Sequence, residues 1–118
     1  MPHTAPNPYR EKKPWGSYEK FTENEISTVK ILTVNPAEAF SLQQHKNRSE
    51  FWRIISGEGK VTIGDKTLFT KAGDEHFVPE GINHRLEAGD QALIVLEISF
   101  GDFDEADITR IEDKYGRI

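Results

Sequence analysis

Two imidazoles, a carboxylate and a primary amide recur at suggestive spacing in this 118-residue chain, as Gln43, His45, Glu50 and His84. Two ring nitrogens, one carboxylate oxygen and one amide oxygen make a donor set for a divalent metal ion, with coordination positions left open for water or substrate. Taken singly, each is an ordinary polar residue near a turn; the spacing is what joins them. Gln43 and His45 are two apart, so on a strand they point to the same face. Glu50 starts the run Glu-Phe-Trp-Arg-Ile-Ile and shares its face with Trp52 and Ile54, the side expected to be core. His84 follows the turn Pro79-Glu-Gly-Ile-Asn and feeds a strand whose inner face continues with Leu86. Glu97 is the candidate general base. Along Leu93–Ser99 a wholly apolar face (Ile94, Leu96, Ile98) suits packing, so the face with Glu97 and Ser99 is expected to look into a cavity.

Such side chains need strands to hold them. Runs rich in β-branched and aromatic residues occupy Val29–Val34, Phe51–Ile55, Lys60–Ile63, Phe77–Val78 and Ala92–Phe100. Turn signals such as Asn35-Pro36, Gly64-Asp65, Ala72-Gly73-Asp74 and Ala88-Gly89-Asp90 separate them. Short strands at this spacing predict an all-β sandwich or barrel. The first fourteen residues carry four of the six prolines, which predicts an extended arm over residues 1–14 that joins no ladder, followed by one barrel domain over 15–118. Asp104–Asp113, with an acidic start and apolar Ala106, Ile108 and Ile111, reads as a short helix closing one end.

Composition narrows the function. The length suits one compact domain. A net charge of −5 opposes nucleic acid and anionic membranes, and a phosphorylated ligand would need a local cationic cluster to overcome it. With no cysteine, disulfide frameworks, thiolate metal sites and Cys nucleophiles are excluded. No apolar run reaches membrane-span length and no signal-peptide core follows Met1, so the expectation is a cytoplasmic protein.

The four chemical residues sit in a longer pattern: Gln43-x-His45, four residues to Glu50, six to Gly57, then Gly73, five to Pro79, Gly81, and two to His84. This resembles the two cupin motifs, G(x)5HxH(x)3–4E(x)6G and G(x)5PxG(x)2H(x)3N, with Ala37 for the first Gly, Gln43 for the first His and Ala88 for the final Asn. Within the cupins the chain looks like the type II phosphomannose isomerase domain, which in bacteria commonly forms the C-terminal part of bifunctional mannose-1-phosphate guanylyltransferase/mannose-6-phosphate isomerase. The stretches that carry the resemblance include Pro14-Trp-Gly-Ser-Tyr-Glu19, Ser41-Leu-Gln-Gln-His45, Arg48-Ser-Glu50, His84-Arg-Leu-Glu87 and Arg110-Ile-Glu-Asp-Lys-Tyr-Gly-Arg117. The His-rich string the family often has after the glutamine is replaced by Lys46-Asn47.

The resemblance implies a jelly-roll barrel and a metal held by Gln43, His45, Glu50 and His84. Zinc is expected first; manganese, iron and cobalt accept the same donors. It implies isomerisation of mannose 6-phosphate and fructose 6-phosphate through an enediolate. The alternative is a non-catalytic, metal-containing sugar-binding cupin supporting a separate nucleotidyltransferase in polysaccharide precursor synthesis, which the Lys46-Asn47 change favours. A dioxygenase using His45, Glu50 and His84 is a further, weaker alternative. For the chain alone guanylyl transfer is not expected, because 118 residues leave no room for that domain. Phosphate recognition asks for basic residues near the barrel mouth. Arg48 lies in the ligand loop, Arg110 (also assigned a catalytic part) and Arg117 belong to the tail motif, and Lys60 follows a Gly-x-Gly turn. Arg53 and Arg85 should point outward, and His3 and His76 lack motif support. The expected partners are a small sugar phosphate and, from the arm and Trp15, a second copy in a homodimer; neither nucleic acid nor membrane is expected.

Overall fold

Alternation of apolar and polar side chains, not length of element, organises this chain. The computed structural model describes residues 8–118, so His3 and the first half of the expected arm lie outside the described residues. Eleven strands follow in order: β1 (Tyr9–Lys13), β2 (Gly16–Lys20), β3 (Ser27–Val34), β4 (Leu42–Gln44), β5 (Arg48–Ser56), β6 (Glu58–Ile63), β7 (Lys66–Lys71), β8 (Glu75–Val78), β9 (His84–Ala88), β10 (Leu93–Gly101) and β11 (Thr109–Glu112). No helix occurs among the described residues. A four-stranded sheet in the order β3-β10-β5-β8 faces a five-stranded sheet in the order β11-β4-β9-β6-β7, and every pairing is antiparallel. The result is the expected all-β jelly roll.

Two sequence expectations change. Tyr9–Lys13 does join a ladder, with β2, because the prolines flank this five-residue stretch and leave its N–H groups free. The tail is a strand, not a helix: Thr109 and Arg110 of β11 pair with Gln44 and Gln43 of β4. That non-local ladder satisfies the tail backbone in a way local propensity does not register.

The inner faces of the two sheets make the main core. Trp52, Ile54, Val61, Val78, Leu86, Leu93 and Val95 are each at most 1% exposed and pack together. A second cluster, Phe51, Ile98 and Phe100 with Phe21 and Phe77, covers part of the outer face of the four-stranded sheet. Packing is close enough to dictate glycine where chains cross. A Cβ on Gly57, whose φ is +90°, would lie 2.2 Å from the Ala92 carbonyl oxygen, and one on Gly59 would lie 2.0 Å from that of Glu87.

Candidate metal centre

Cross-strand register brings the distant motif residues together. In the five-stranded sheet Gln43 of β4 is opposite both His84 of β9 and Arg110 of β11, and His84 is opposite Ile63 of β6, so this row shares one face. In the four-stranded sheet one row runs Thr28, Ser99, Glu50, Val78 and the next runs Lys30, Glu97, Trp52, His76. Trp52 and Val78 belong to the core, which fixes both rows as inward. His45, just past β4, completes the group. His45, Glu50 and His84 are all buried, and their ligand atoms lie within 4.8 Å of one another.

The two imidazoles are oriented from behind. His45 Nδ1 lies 2.7 Å from the Asp107 carbonyl oxygen, and His84 Nδ1 lies 2.9 Å from that of Ile82. A carbonyl oxygen only accepts, so each ring carries its proton on Nδ1 and turns its Nε2 lone pair inward. The two Nε2 atoms are 3.2 Å apart. Glu50 Oε1 is 3.1 Å from His84 Nε2 and 3.7 Å from His45 Nε2, yet it is buried with no hydrogen-bond donor. Two lone pairs and an orphaned carboxylate oxygen converge, and a cation is the group that satisfies all three. The separations match those between ligands of one tetrahedral ion, about 3.3 Å for bonds near 2.0–2.1 Å. The residues therefore fit a divalent metal.

Gln43 is the fourth expected ligand. Its Nε2 donates to His45 Nε2 at 3.4 Å and its Oε1 accepts from Ser41 Oγ at 2.6 Å. Ligation through oxygen requires the amide to turn over, which Ser41 tolerates because a hydroxyl also accepts.

Charge follows geometry. Burial holds His45 below the usual imidazole range, against the opposing pull of Glu50, which keeps the ring neutral as ligation requires. Burial opposes ionisation of Glu50, but His84 and His45 outweigh it and bring its carboxyl down to about 2. Glu97, 5% exposed, is pushed up to about 8, first by burial and then by the charge of Glu50. Its Oε2 accepts from Trp52 Nε1 at 3.1 Å, which pins the carboxyl beside the ligands.

The basic candidates separate. Arg48, 6% exposed, donates from Nη2 to His45 Nε2 at 3.3 Å and from Nη1 to the Asp104 carbonyl at 3.0 Å, while its Nε makes no hydrogen bond but faces the Glu50 carboxylate, 3.6 Å from Oε2, as a buried ion pair. Arg110 is half-buried on the Gln43 row, and its Nε is likewise buried without a hydrogen bond. Lys60 is not at the site: it is exposed on β6, between inward Gly59 and Val61. Arg117 is not there either, since it clamps Asp113 from Nε at 2.7 Å and from Nη2 at 3.0 Å. Arg53 binds Glu19 and Glu75, and Arg85 binds Glu112, both outward as expected. His76 faces inward but is engaged with Thr70 Oγ1 at 2.8 Å. Sequence reasoning passed over Lys30, although alternation with Leu32 and Val34 places it on the inner face.

Residues 4–113 match the family described as mannose-6-phosphate isomerase C-terminal. The xanthan biosynthesis protein XanB of Xanthomonas campestris pv. campestris (strain B100) is 38% identical over 107 residues, 89% of this chain and 23% of XanB. Mannose-1-phosphate guanylyltransferase 2 of Escherichia coli O157:H7 is 39% identical over 105 residues, 87% of this chain and 22% of that protein. The chain thus spans less than a quarter of the length of these relatives. Among solved structures, a Klebsiella pneumoniae protein with a double-stranded β-helix domain superposes with TM-score 0.65 at 21% identity, over 90% of this chain and 85% of that one. Bacillus subtilis oxalate decarboxylase, a protein with Mn(II) centres, gives TM-score 0.65 at 28% identity, over 74% of this chain and 24% of that one.

Proposed function

Because the chain belongs to the mannose-6-phosphate isomerase C-terminal family of cupins, we propose that it is a metal-dependent sugar-phosphate isomerase interconverting mannose 6-phosphate and fructose 6-phosphate. The observation that carries this reading is the convergence of His45 Nε2, His84 Nε2 and Glu50 Oε1 beside the carboxyl of Glu97. A divalent ion, zinc in the first instance, would polarise the sugar oxygens there and stabilise the oxyanion that develops during proton transfer. Glu97 takes the proton from C2 of the open-chain aldose and returns it to C1, while the hydroxyl proton of O2 passes to O1, so substrate and product are isomers with nothing gained or lost. A carboxyl whose proton affinity lies near neutrality suits both halves of that shuttle. Trp52 holds one carboxyl oxygen, and a hydrogen bond with Glu50 ties the carboxyl to the ligand cluster. Arg110 supplies an N–H group that makes no hydrogen bond, and Arg48 a guanidinium held beside Glu50, to an anionic substrate. The Lys46-Asn47 change has exposed side chains, and only its backbone amides are engaged, with Asp107, so the inward donor set is unaltered by it.

The test is to quantify metal in the purified protein and to couple fructose 6-phosphate formation from mannose 6-phosphate to a reporter. Turnover with zinc, manganese or cobalt is expected. Bound metal without turnover with any of them would leave the sugar-binding alternative in its place. In the same assay Arg110→Ala is expected to keep its metal and raise KM about 10- to 100-fold, the weight of one charge-assisted hydrogen bond. An unchanged KM would remove β11 from the site.

We also propose a homodimer through the outer face of the four-stranded sheet. Val29 and Ile31 of β3 are each 59% exposed and Ile55 of β5 is 48% exposed, with half-buried Leu96 opposite Ile31. A two-fold axis would cover this apolar stripe on both copies at once. Ile31→Glu is expected to give a folded monomer by sedimentation, and an unaltered mass would place any interface elsewhere.

A further inference from the structure

Lys30 begins on an inward row, opposite Glu97, and its ammonium reaches Phe103 and Glu105. There Nζ lies 4.3 Å from the centroid of the Phe103 ring, and the Arg48 guanidinium carbon lies 4.5 Å from the same centroid. One aromatic ring therefore gathers both cations, which places them no more than about 9 Å apart on one edge where an oxyanion would meet both charges. Arg48 is 6% exposed, and its Nε–H makes no hydrogen bond, lying 3.6 Å from Glu50 Oε2, so it can turn toward a closer anion. Lys30 has a single carboxylate partner, Glu105 at 3.1 Å, and that side chain is 78% exposed while Lys30 is 34% exposed. A pair of this kind is screened and weakly held. The acceptor is one that an incoming anion can replace without unfolding anything.

We propose that Lys30 and Arg48, spaced by Phe103, form the phosphate-binding edge of the site, and that Glu105 is an internal stand-in anion which the ligand displaces from Lys30. The two cations answer the chain's net charge of −5 locally, and they do so on the side of the cavity where Glu97 stands. That the phosphate belongs to a sugar rests on the isomerase reading; that the edge binds phosphate does not.

The experiment titrates inorganic phosphate, and separately fructose 6-phosphate, into the full chain by calorimetry, with metal content and Tm recorded for every variant. Lys30→Met is expected to weaken both ligands about 10- to 100-fold, and Lys30→Arg to stay within about threefold of wild type. Glu105→Gln is expected to tighten both several-fold, because the competing carboxylate is gone. Metal content should not change in any of them, which a merely structural Lys30–Phe103 staple would not predict alongside a phosphate-specific loss. Unchanged phosphate affinity in Lys30→Met, or a wild-type protein that binds no phosphate, overturns the inference. Wild-type binding through Lys30 with no isomerase turnover supports the phosphate edge while defeating the isomerase reading. Turnover with unaltered KM in Lys30→Met does the reverse.

Discussion

His84→Ala is expected to remove bound metal and turnover together. The substitution deletes one of the two imidazole donors in the cluster and leaves the 3.1 Å partner of Glu50 Oε1 missing. Metal stabilisation of developing charge contributes several kcal/mol, so the rate should fall about a thousandfold or more. The fold pays a separate cost, because His84 is 1% exposed and packs edge-on against Trp52 with ring centroids 5.6 Å apart. An unfilled cavity there costs about 2–4 kcal/mol. The two effects are separated by Glu50→Gln, which conserves volume but removes the anionic donor: it should also lose metal without opening a cavity, its Tm falling only through the buried Arg48 charge left without its carboxylate. Elemental analysis reads the first outcome and thermal denaturation the second. A His84→Ala protein that retains stoichiometric metal would sink the centre as drawn.

Glu97→Gln should behave in the opposite way, keeping metal and losing chemistry. The amide preserves the shape and, through Oε1, the acceptor for Trp52, but it takes no proton. A fall in kcat of about 10²–10⁴-fold with little change in KM is expected. Retained kcat would transfer the role of base to another group. A second readout is independent of catalysis. With metal removed by chelator, the wild-type carboxyl has its folded value raised from 4.5 to about 8. Stability that depends on it is therefore complete below about pH 4.5 and is lost as pH rises through 8. Glutamine does not titrate, so the Tm of Glu97→Gln minus that of wild type should grow between pH 5 and pH 9. Glu50 has the reverse sign, with stability lost as pH falls from 4.5 toward about 2, and stays ionised over that window.

What was readable beforehand follows from how local the determinant is. Glu50, Glu97 and His84 were placed by period-two alternation inside single strands, and the register then matched them across sheets. Ala37 shows why the motif usually has glycine there: its φ is +61°, a conformation that costs a residue with a Cβ about 1–2 kcal/mol. The tail resisted reading because Arg110 gains its position from Gln43, sixty-seven residues earlier, and not from its neighbours. Lys60 and Arg117 have only charge and motif to recommend them, and strand facing and the Asp113 clamp keep them out. Lys30 is legible from its alternation with Leu32 and Val34, although a lysine in an apolar run carries no local sign that it faces inward.

Asp107 does two things at once. Its backbone oxygen orients His45, and its carboxylate accepts from the amides of Lys46 and Asn47 at 2.9 Å each. Imidazole orientation and the path of the chain beside it are thus set from one point. For genetics this means that sensitivity to metal starvation need not map to the residues that hold the metal. A screen for strains rescued by excess zinc should return lesions between Asp104 and Ile108, in a segment whose side chains supply no ligand.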